Sequence, residues 1–382
     1  MKKAIIALDG GGSNLRMVLV DQETEEKIYL KKINTGTNLS TVPNRAEALE
    51  NVRKLIIDGY RHLPVDYAVT GIGLSSAGTE IKEDKLALEE AIAGAVTELK
   101  EKIPEVVRVE PKLYVTNDID ILLHSSDIAL VAGTGVVAAV KYKDIKPYDN
   151  KPVTGDEEEI IDKLDGAGPY LGDKGAGYWI AKEVLTKVGE IETLGGYVNS
   201  NGDFIEEHDS YLREIVLREL FKANGLDPAL AERANALSLK SVDVGEYVSL
   251  VYSATTENGR PFDRAKVGRM FSALADEAAY QGDTVANDIL LGASKELFKN
   301  VKAAYQIGDF ANKPYCDLLL SGSVLTHSDI TRYFLESKIR QEFPNISIKL
   351  NTEEPVMSTV KYVKGKVEEP VRSHSDNDDW VL

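Results

Sequence analysis

The chain has 382 residues, 43% of them hydrophobic and 28% charged, with a formal net charge of −17. Such a length suits two domains, and the composition is that of a soluble globular protein. The acidic excess argues against nucleic acid or an anionic membrane as a general partner, so a bound phosphate would be held locally by backbone N–H groups, magnesium and a few basic residues. No apolar run reaches 18 residues, and Met1-Lys2-Lys3 leads directly into a strand. This predicts a cytoplasmic protein with neither signal peptide nor membrane span.

Lys3–Leu8, Leu15–Val20 and Lys27–Ile33 read as three strands. The first two are joined by Asp9-Gly10-Gly11-Gly12-Ser13-Asn14. Glycine adopts positive φ at little cost, so a plain hairpin explains part of this stretch. Three consecutive glycines also strip side chains from the backbone and expose N–H groups that suit a phosphate. Asp9, at the strand end, suits Mg²⁺ held through water. The run "INTGTNLS" follows the third strand, and its Asn34, Thr37 and Asn38 serve equally as turn formers or as partners of sugar hydroxyls.

"NRAEALENVRKLIIDGY" has helical spacing with Asn44 as N-cap. "DYAVTGIGLSS" reads as a strand, "KLALEEAIAGAVTELKEK" as a helix and "PKLYVTND" as a strand, giving the order β-β-β-α-β-α-β. In "VTNDID", Asp118 stands at a strand end before a short helical run. A carboxylate there suits a general base, and aspartate equally favours a helix N-cap.

A similar order then restarts. "DIALVAGTGVVAAVKYKD" (127–144) aligns without a gap on "AIIALDGGGSNLRMVLVD" (4–21), placing Gly133 on Gly10, Gly135 on Gly12 and Ala132 on Asp9. "CDLLLSGSV" (316–324) likewise resembles "DYAVTGIGL" (66–74). This is weak internal duplication of one unit. We therefore expect domains over 1–120 and 121–382, a helical insertion at about 176–310 in the second, and last residues free to pack back on the first. The acidic stretch 144–163 is expected to be a surface loop or hairpin extension, and the tail "HSDNDD" to be frayed. "GPYLGDKGAGYWIAKE" is dense in glycine before a helix. Asp173 there could accept from a substrate hydroxyl, and Gly175 and Gly177 could admit a ligand, although an ordinary loop into a helix reads as well.

The one cysteine, Cys316, lies in an apolar run and is expected to be a buried small hydrophobe. The five histidines show no metal-ligand spacing.

Taken together, these stretches resemble the BadF/BadG/BcrA/BcrD-type ATPase family and, within it, the N-acetylglucosamine kinases of the actin–hexokinase superfamily. The resemblance covers nearly the whole chain, and its motifs stand in family order. It implies an α/β fold of duplicated ribonuclease H-like (actin-like ATPase) domains with an interdomain cleft. It implies an ATP- and Mg²⁺-dependent kinase of an N-acetylated amino sugar, and a homodimer. "DGGGSNLRMVLVD" resembles the first phosphate motif, so that Asp9, Gly10, Gly11, Gly12, Ser13 and Asn14 would face the nucleotide, with Asp9 at the hydrated metal. "AGTG" resembles the second, with Gly133, Thr134 and Gly135 at the phosphates and Thr134 also at the sugar. "VTNDID" resembles the segment carrying the catalytic base, here Asp118. "TGTNLS" resembles the sugar loop, implying Asn38. Gly78 is implied beside it, and "GPYLGDKGAGYWI" implies Gly168 and Asp173 on the sugar. "LLLSGSV" resembles the adenosine motif, implying Gly322.

The chain departs from the family pattern at Ser13-Asn14-Leu15, Ala167, Lys174, Ser323 and Met357-Ser358. The alternatives are an ATPase activator of a dehydratase or reductase, which needs cysteines from two subunits for an iron–sulfur cluster, and a non-catalytic sugar- or nucleotide-binding regulator.

Overall fold

β1 (Lys2–Gly10) is an almost unbroken apolar run because both of its faces are covered. In the computed structural model, which describes residues 1–11, 14–40, 42–143, 159–166, 168, 171–207, 209–229, 243–257, 260–261 and 264–368, the chain divides into two compact units. The first is Met1–His124 with the described part of Glu353–Leu382, and the second is Ser125–Thr352.

The first unit is built on a mixed five-stranded sheet. β2 (Leu15–Asp21) and β3 (Lys27–Ile33) run antiparallel beside β1, and β4 (Tyr67–Ser76) and β5 (Lys112–Thr116) run parallel to it, in the order β3-β2-β1-β4-β5. Ala4, Ile6 and Leu8 point into one core with α1 (Arg45–Arg61) and α2 (Lys82–Lys102). Ile5 and Ala7 point to the other face, where the last helix of the unit, Pro355–Glu368, covers them with Val356, Val360 and Val363. That helix approaches closely because β4 carries glycine beneath it. A Cβ on Gly71 would lie 2.7 Å from Val363 Cγ1, and one on Gly73 would overlap Val363 Cγ2. α3 (Asp118–Leu122) follows β5 directly.

The second unit repeats the strand order. β6 (Ile128–Ala132), β7 (Val136–Lys143) and β8 (Glu159–Asp165) are antiparallel neighbours. With the helical segment in between, two further strands run parallel to β6, Cys316–Ser321 beside it and Ile346–Leu350 outside. From the edge β8 inward the order is therefore that of the first sheet: third, second, first, then two parallel strands. The inserted segment contributes α4 (Gly177–Leu194), α5 (Tyr211–Ala223), α6 (Val244–Thr255), α7 (Arg264–Tyr280) and α8 (Thr284–Ile307), along with two short hairpins, β9–β10 (Gly196–Val198, Phe204–Glu206) and β11–β12 (Thr256–Glu257, Arg260–Pro261). We call Cys316–Ser321 β13 and Ile346–Leu350 β14. α9 (Ser323–His327) and α10 (Asp329–Glu342) lie between them, and Pro355–Glu368 is α11.

Of the two readings of 144–163, surface loop or hairpin extension, the described residues 159–163 fit the second: they belong to β8, which runs antiparallel to β7 with Leu164 and Asp162 paired with Ala138 and Val140. Residues 144–158 and the "HSDNDD" tail lie outside the described residues. Cys316 is fully buried in β13, and burial pushes its thiol pKa up to about 12. Among the described residues, no helix is long and apolar enough to cross a membrane.

Candidate active site

In the first unit the chemistry collects at the carboxyl ends of the three parallel strands, the usual ligand edge of such sheets. The register sets Asp9 of β1 beside Ser75 of β4, and Ser75 beside Thr116 of β5. Gly10 pairs with Ser76 in the next row. Asp9, Ser75–Ser76 and Asn117–Asp118 thus stand in order along one edge.

Asp9 is largely buried. Its Oδ1 accepts from Ser75 Oγ at 3.1 Å. Burial holds the carboxyl above its ordinary range, opposed by the Ser75 hydrogen bond and the charge of Arg16. Next to it, a Cβ on Gly10 would overlap the Thr37 side chain. Thr37 is itself buried, with its Oγ1 2.7 Å from Ser76 Oγ and its N–H on the Gly11 carbonyl at 3.0 Å. The loop after β3 is in this way pressed against the first hairpin.

Gly11 is not held at positive φ, and a Cβ there would meet open space. Its N–H donates to the Asn14 carbonyl at 3.1 Å. The expectation of a bare, left-handed glycine is therefore corrected at this residue: the hairpin uses its N–H internally. Gly12 and Ser13 lie outside the described residues.

Asn38 and Gly78 come together. Gly78 has φ +88°, and a Cβ on it would lie 2.7 Å from Asn38 Oδ1. Asp118 is exposed and opens α3, but the cap is Asn117. Asn117 Oδ1 accepts from the Ile119 N–H at 3.1 Å, and its amide donates to Glu80 Oε1 at 2.9 Å. The N-cap reading of Asp118 is therefore corrected by one residue, because only Asn117 has the extended backbone that a cap requires.

In the second unit the equivalent hairpin is Gly133-Thr134-Gly135. The Gly133 N–H donates to the Gly135 carbonyl at 2.8 Å, and its carbonyl accepts from the Gly177 N–H at 2.8 Å. A Cβ on Gly135 would lie 2.8 Å from Asp173 Oδ1. That same oxygen accepts from the Val136 N–H at 3.0 Å, and Oδ2 lies 3.5 Å from Arg264 Nη1. Burial and the nearby Asp165 charge raise the Asp173 pKa, against the Val136 N–H and Arg264. Gly322, at φ +90°, sits against the backbone of Ala132, so a side chain there would strike the end of β6. Gly133, Thr134, Gly135, Asp173 and Gly322 therefore form one cluster.

Gly168, at φ +81°, faces open space, and its carbonyl accepts from the Gly172 N–H at 2.8 Å. Ala167 lies outside the described residues. Gly175 and Gly177 make room for protein, not for a ligand: a Cβ on Gly175 would lie 2.7 Å from the Ala293 carbonyl, and one on Gly177 3.1 Å from that of Gly133.

Sequence reasoning missed several supporting residues. Asp165, at φ +63°, closes the loop before Asp173 by accepting from the Gly166 and Asp173 N–H groups at 2.8 and 3.0 Å, and its other oxygen accepts from Asn300 Nδ2. Asp84 is buried and accepts from Ser40 Oγ and Arg45, anchoring the Asn38 loop. Glu80 accepts from the Asn117 amide, Ser76 pairs with Thr37, and Thr359 reaches Ser75. A short polar residue beside glycines was the available signal for Ser76, whereas the partners of Glu80, Asp84 and Thr359 are distant in sequence.

The donor set bears on metal. Among the described residues no group of three or more His, Cys, Asp or Glu could hold an ion unaided. A single carboxylate with one oxygen already engaged fits a hard, hydrated cation such as Mg²⁺, which keeps several waters and shares phosphate oxygens.

The sequence model of the BadF/BadG/BcrA/BcrD ATPase family matches residues 6–354. The chain belongs to this family. Among curated relatives, this family member is 22% identical over 369 residues to an N-acetyl-D-glucosamine kinase of Dictyostelium discoideum, covering 93% of this chain and 96% of the relative. It is 21% identical over 353 residues to an N-acetylmuramic acid/N-acetylglucosamine kinase of Clostridium acetobutylicum, covering 91% and 93%. In fold it resembles the crystal structure of a Chromobacterium violaceum protein assigned as an N-acetylglucosamine kinase, with a TM-score of 0.53 and 16% identity over 94% of this chain and 98% of that one.

Proposed function

We propose that this member of the BadF/BadG/BcrA/BcrD family is an ATP-dependent kinase that phosphorylates a hydroxyl of an N-acetylated amino sugar, with Asp118 as general base. The observation that carries the reading is the row of Asp9, Ser75–Ser76 and Asn117–Asp118 along the carboxyl ends of neighbouring parallel strands. The full-length similarity to two amino-sugar kinases supports the substrate class. The repeated strand order supports two copies of one ribonuclease H-like unit.

In this reading the Gly10–Asn14 and Gly133–Gly135 loops adjoin the phosphates and Gly322 the adenosine. Asn38, Gly78, Thr134, Gly168 and Asp173 position the sugar. Asp118 takes the proton of the attacking hydroxyl, whose oxygen bonds to the γ-phosphorus as the bridging P–O bond breaks and ADP leaves. Asp9 would hold hydrated Mg²⁺, which supplies neutralisation of the phosphate charge. The remaining contribution of the chain is positioning, since phosphoryl transfer needs little covalent help.

Cys316 speaks against the activator reading, because a thiol buried in a strand with a raised pKa is poorly placed to ligate a cluster shared by two subunits. The test is ATP consumption over a panel containing N-acetylglucosamine, N-acetylmuramic acid, N-acetylmannosamine and glucose. ADP release that depends on an N-acetylated sugar is expected. Turnover indifferent to every sugar would overturn the proposal.

A further inference from the structure

The Asp9 carboxylate is tied to the far end of the chain. Asp9 Oδ1 accepts from Ser75 Oγ at 3.1 Å, and Ser75 Oγ lies 3.1 Å from Thr359 Oγ1 on α11. Ser75 is 1% exposed and Thr359 fully buried, so water does not compete for either hydroxyl. The direction of the relay follows from proton count. An ionised carboxylate only accepts, so Ser75 must give its single proton to Asp9. Thr359 must then donate to Ser75. Among the described residues, Oδ1 is the Asp9 oxygen engaged in this way, and Oδ2 is left over.

The helix that carries Thr359 is well fixed. Val356, Val360 and Val363 are fully buried against Ile5, Ala7, Val18 and Val20, and the bare backbone at Gly71 and Gly73 admits Val363. Thr359 is thereby held over Ser75 by apolar packing independent of any ligand.

We propose that Thr359 is a positioning residue for the nucleotide site: acting through Ser75, it fixes the Asp9 carboxylate so that Oδ2 is the oxygen left to the hydrated cation that accompanies the nucleotide. The inference rests on the kinase reading above. Removing the Thr359 hydroxyl frees the Ser75 rotor and leaves its oxygen short of one donor, so Asp9 loses a defined orientation.

The test is calorimetric binding of ADP to the full chain, with excess Mg²⁺ and separately with EDTA. Thr359→Val keeps the shape and removes the hydroxyl, Thr359→Ser restores it, and Ser75→Ala removes the donor to Asp9. Thr359→Val is expected to weaken Mg·ADP about threefold to tenfold, as for one hydrogen bond, with ADP affinity in EDTA unchanged. Thr359→Ser should bind as the wild type does. Ser75→Ala should lose at least as much as Thr359→Val, and adding Thr359→Val to it should cost nothing more, because both act through one link. Wild-type Mg·ADP affinity in a folded Thr359→Val, additive losses in the double variant, or no rescue by Thr359→Ser would each overturn the inference. Should Thr359→Val not fold, Ser75→Ala with Thr359→Ser decides: equal Mg·ADP affinity in Ser75→Ala and wild type overturns it. Failure of the wild-type chain to bind Mg·ADP would instead strike the kinase reading.

Discussion

Thr37 Oγ1 occupies the space that a Cβ on Gly10 would need. Thr37 cannot easily yield, because it is 1% exposed and its hydroxyl is paired with Ser76 at 2.7 Å. Gly10→Ala should therefore destabilise the first unit by about 1–3 kcal/mol through overpacking. Gly11→Ala faces open space without positive φ and should leave the melting temperature within error of wild type. Thermal melts of both variants check this. Equal Tm values for Gly10→Ala and Gly11→Ala would show that the loop after β3 does not press on the hairpin.

Asp118 and the cap of α3 can be separated, since the cap is Asn117. Asp118→Asn removes a base while leaving Asn117 Oδ1 on the Ile119 N–H. The melting temperature should hardly move, because a carboxylate in a first helical turn contributes only about 0.3–1 kcal/mol. Under the kinase reading, kcat should fall roughly 10²–10⁴-fold, with ATP affinity unchanged. A folded variant with near-normal kcat would end the general-base assignment.

The bond from Asn117 to Glu80 gives a finer test. Asn117→Ser should keep the cap, since serine caps nearly as well as asparagine, but it lacks the amide that reaches Glu80 Oε1 at 2.9 Å. We expect a near-wild-type Tm with kcat lowered several-fold, and a similar kcat in Glu80→Ala. Asn117→Ala should lose about 1 kcal/mol of stability as well. If Asn117→Ser matches wild type in both Tm and kcat, Glu80 does not help to set the start of α3.

Most strands were legible in the sequence as short apolar or alternating runs bounded by small or polar residues, and β3 keeps the bounds Lys27–Ile33 read for it. β1, β2, β4 and β13 stand where "AIIAL", "RMVLV", "AVTGIGLSS" and "CDLLLS" place them. β8 was obscured because its apolar residues Ile160, Ile161 and Leu164 follow the acidic run Asp156–Glu159 and are broken by Asp162 and Lys163. Asn44 was readable as a cap from its place before a helical pattern, and its side chain does accept from the Glu47 N–H at 3.2 Å. The site was legible only in part. Glycines announce themselves, but the groups that fill the space they leave do not: the partner of Gly10 lies after β3, that of Gly175 on α8, and that of Ser75 on the last described helix. Such pairings are set by tertiary packing, which leaves no periodic trace.

Asp173 offers a pH test with a definite sign. Burial, with the nearby Asp165 charge, raises its folded-state pKa above the ordinary carboxylate value. The folded chain therefore holds this proton more tightly than the unfolded chain, so stability from this group is fullest below the unfolded pKa. It declines as pH rises through the unfolded and then the raised folded value, and stays flat above both. Asp173→Asn cannot ionise, and its amide oxygen can still accept from the Val136 N–H, now bound at 3.0 Å. The variant should match or exceed the wild-type Tm at pH 7, and that margin should shrink as pH falls through the carboxylate range. Under the kinase reading the same variant should raise the sugar KM, because an amide is a weaker partner for a hydroxyl than an anion. Melts from pH 3.5 to 7.5 with sugar kinetics on one preparation decide both points. A variant less stable than wild type at pH 7 by a gap that closes on acidification would mean that Asp173 is there as an ion for the fold, held by Arg264 3.5 Å away, and that its burial is not the dominant influence on its charge.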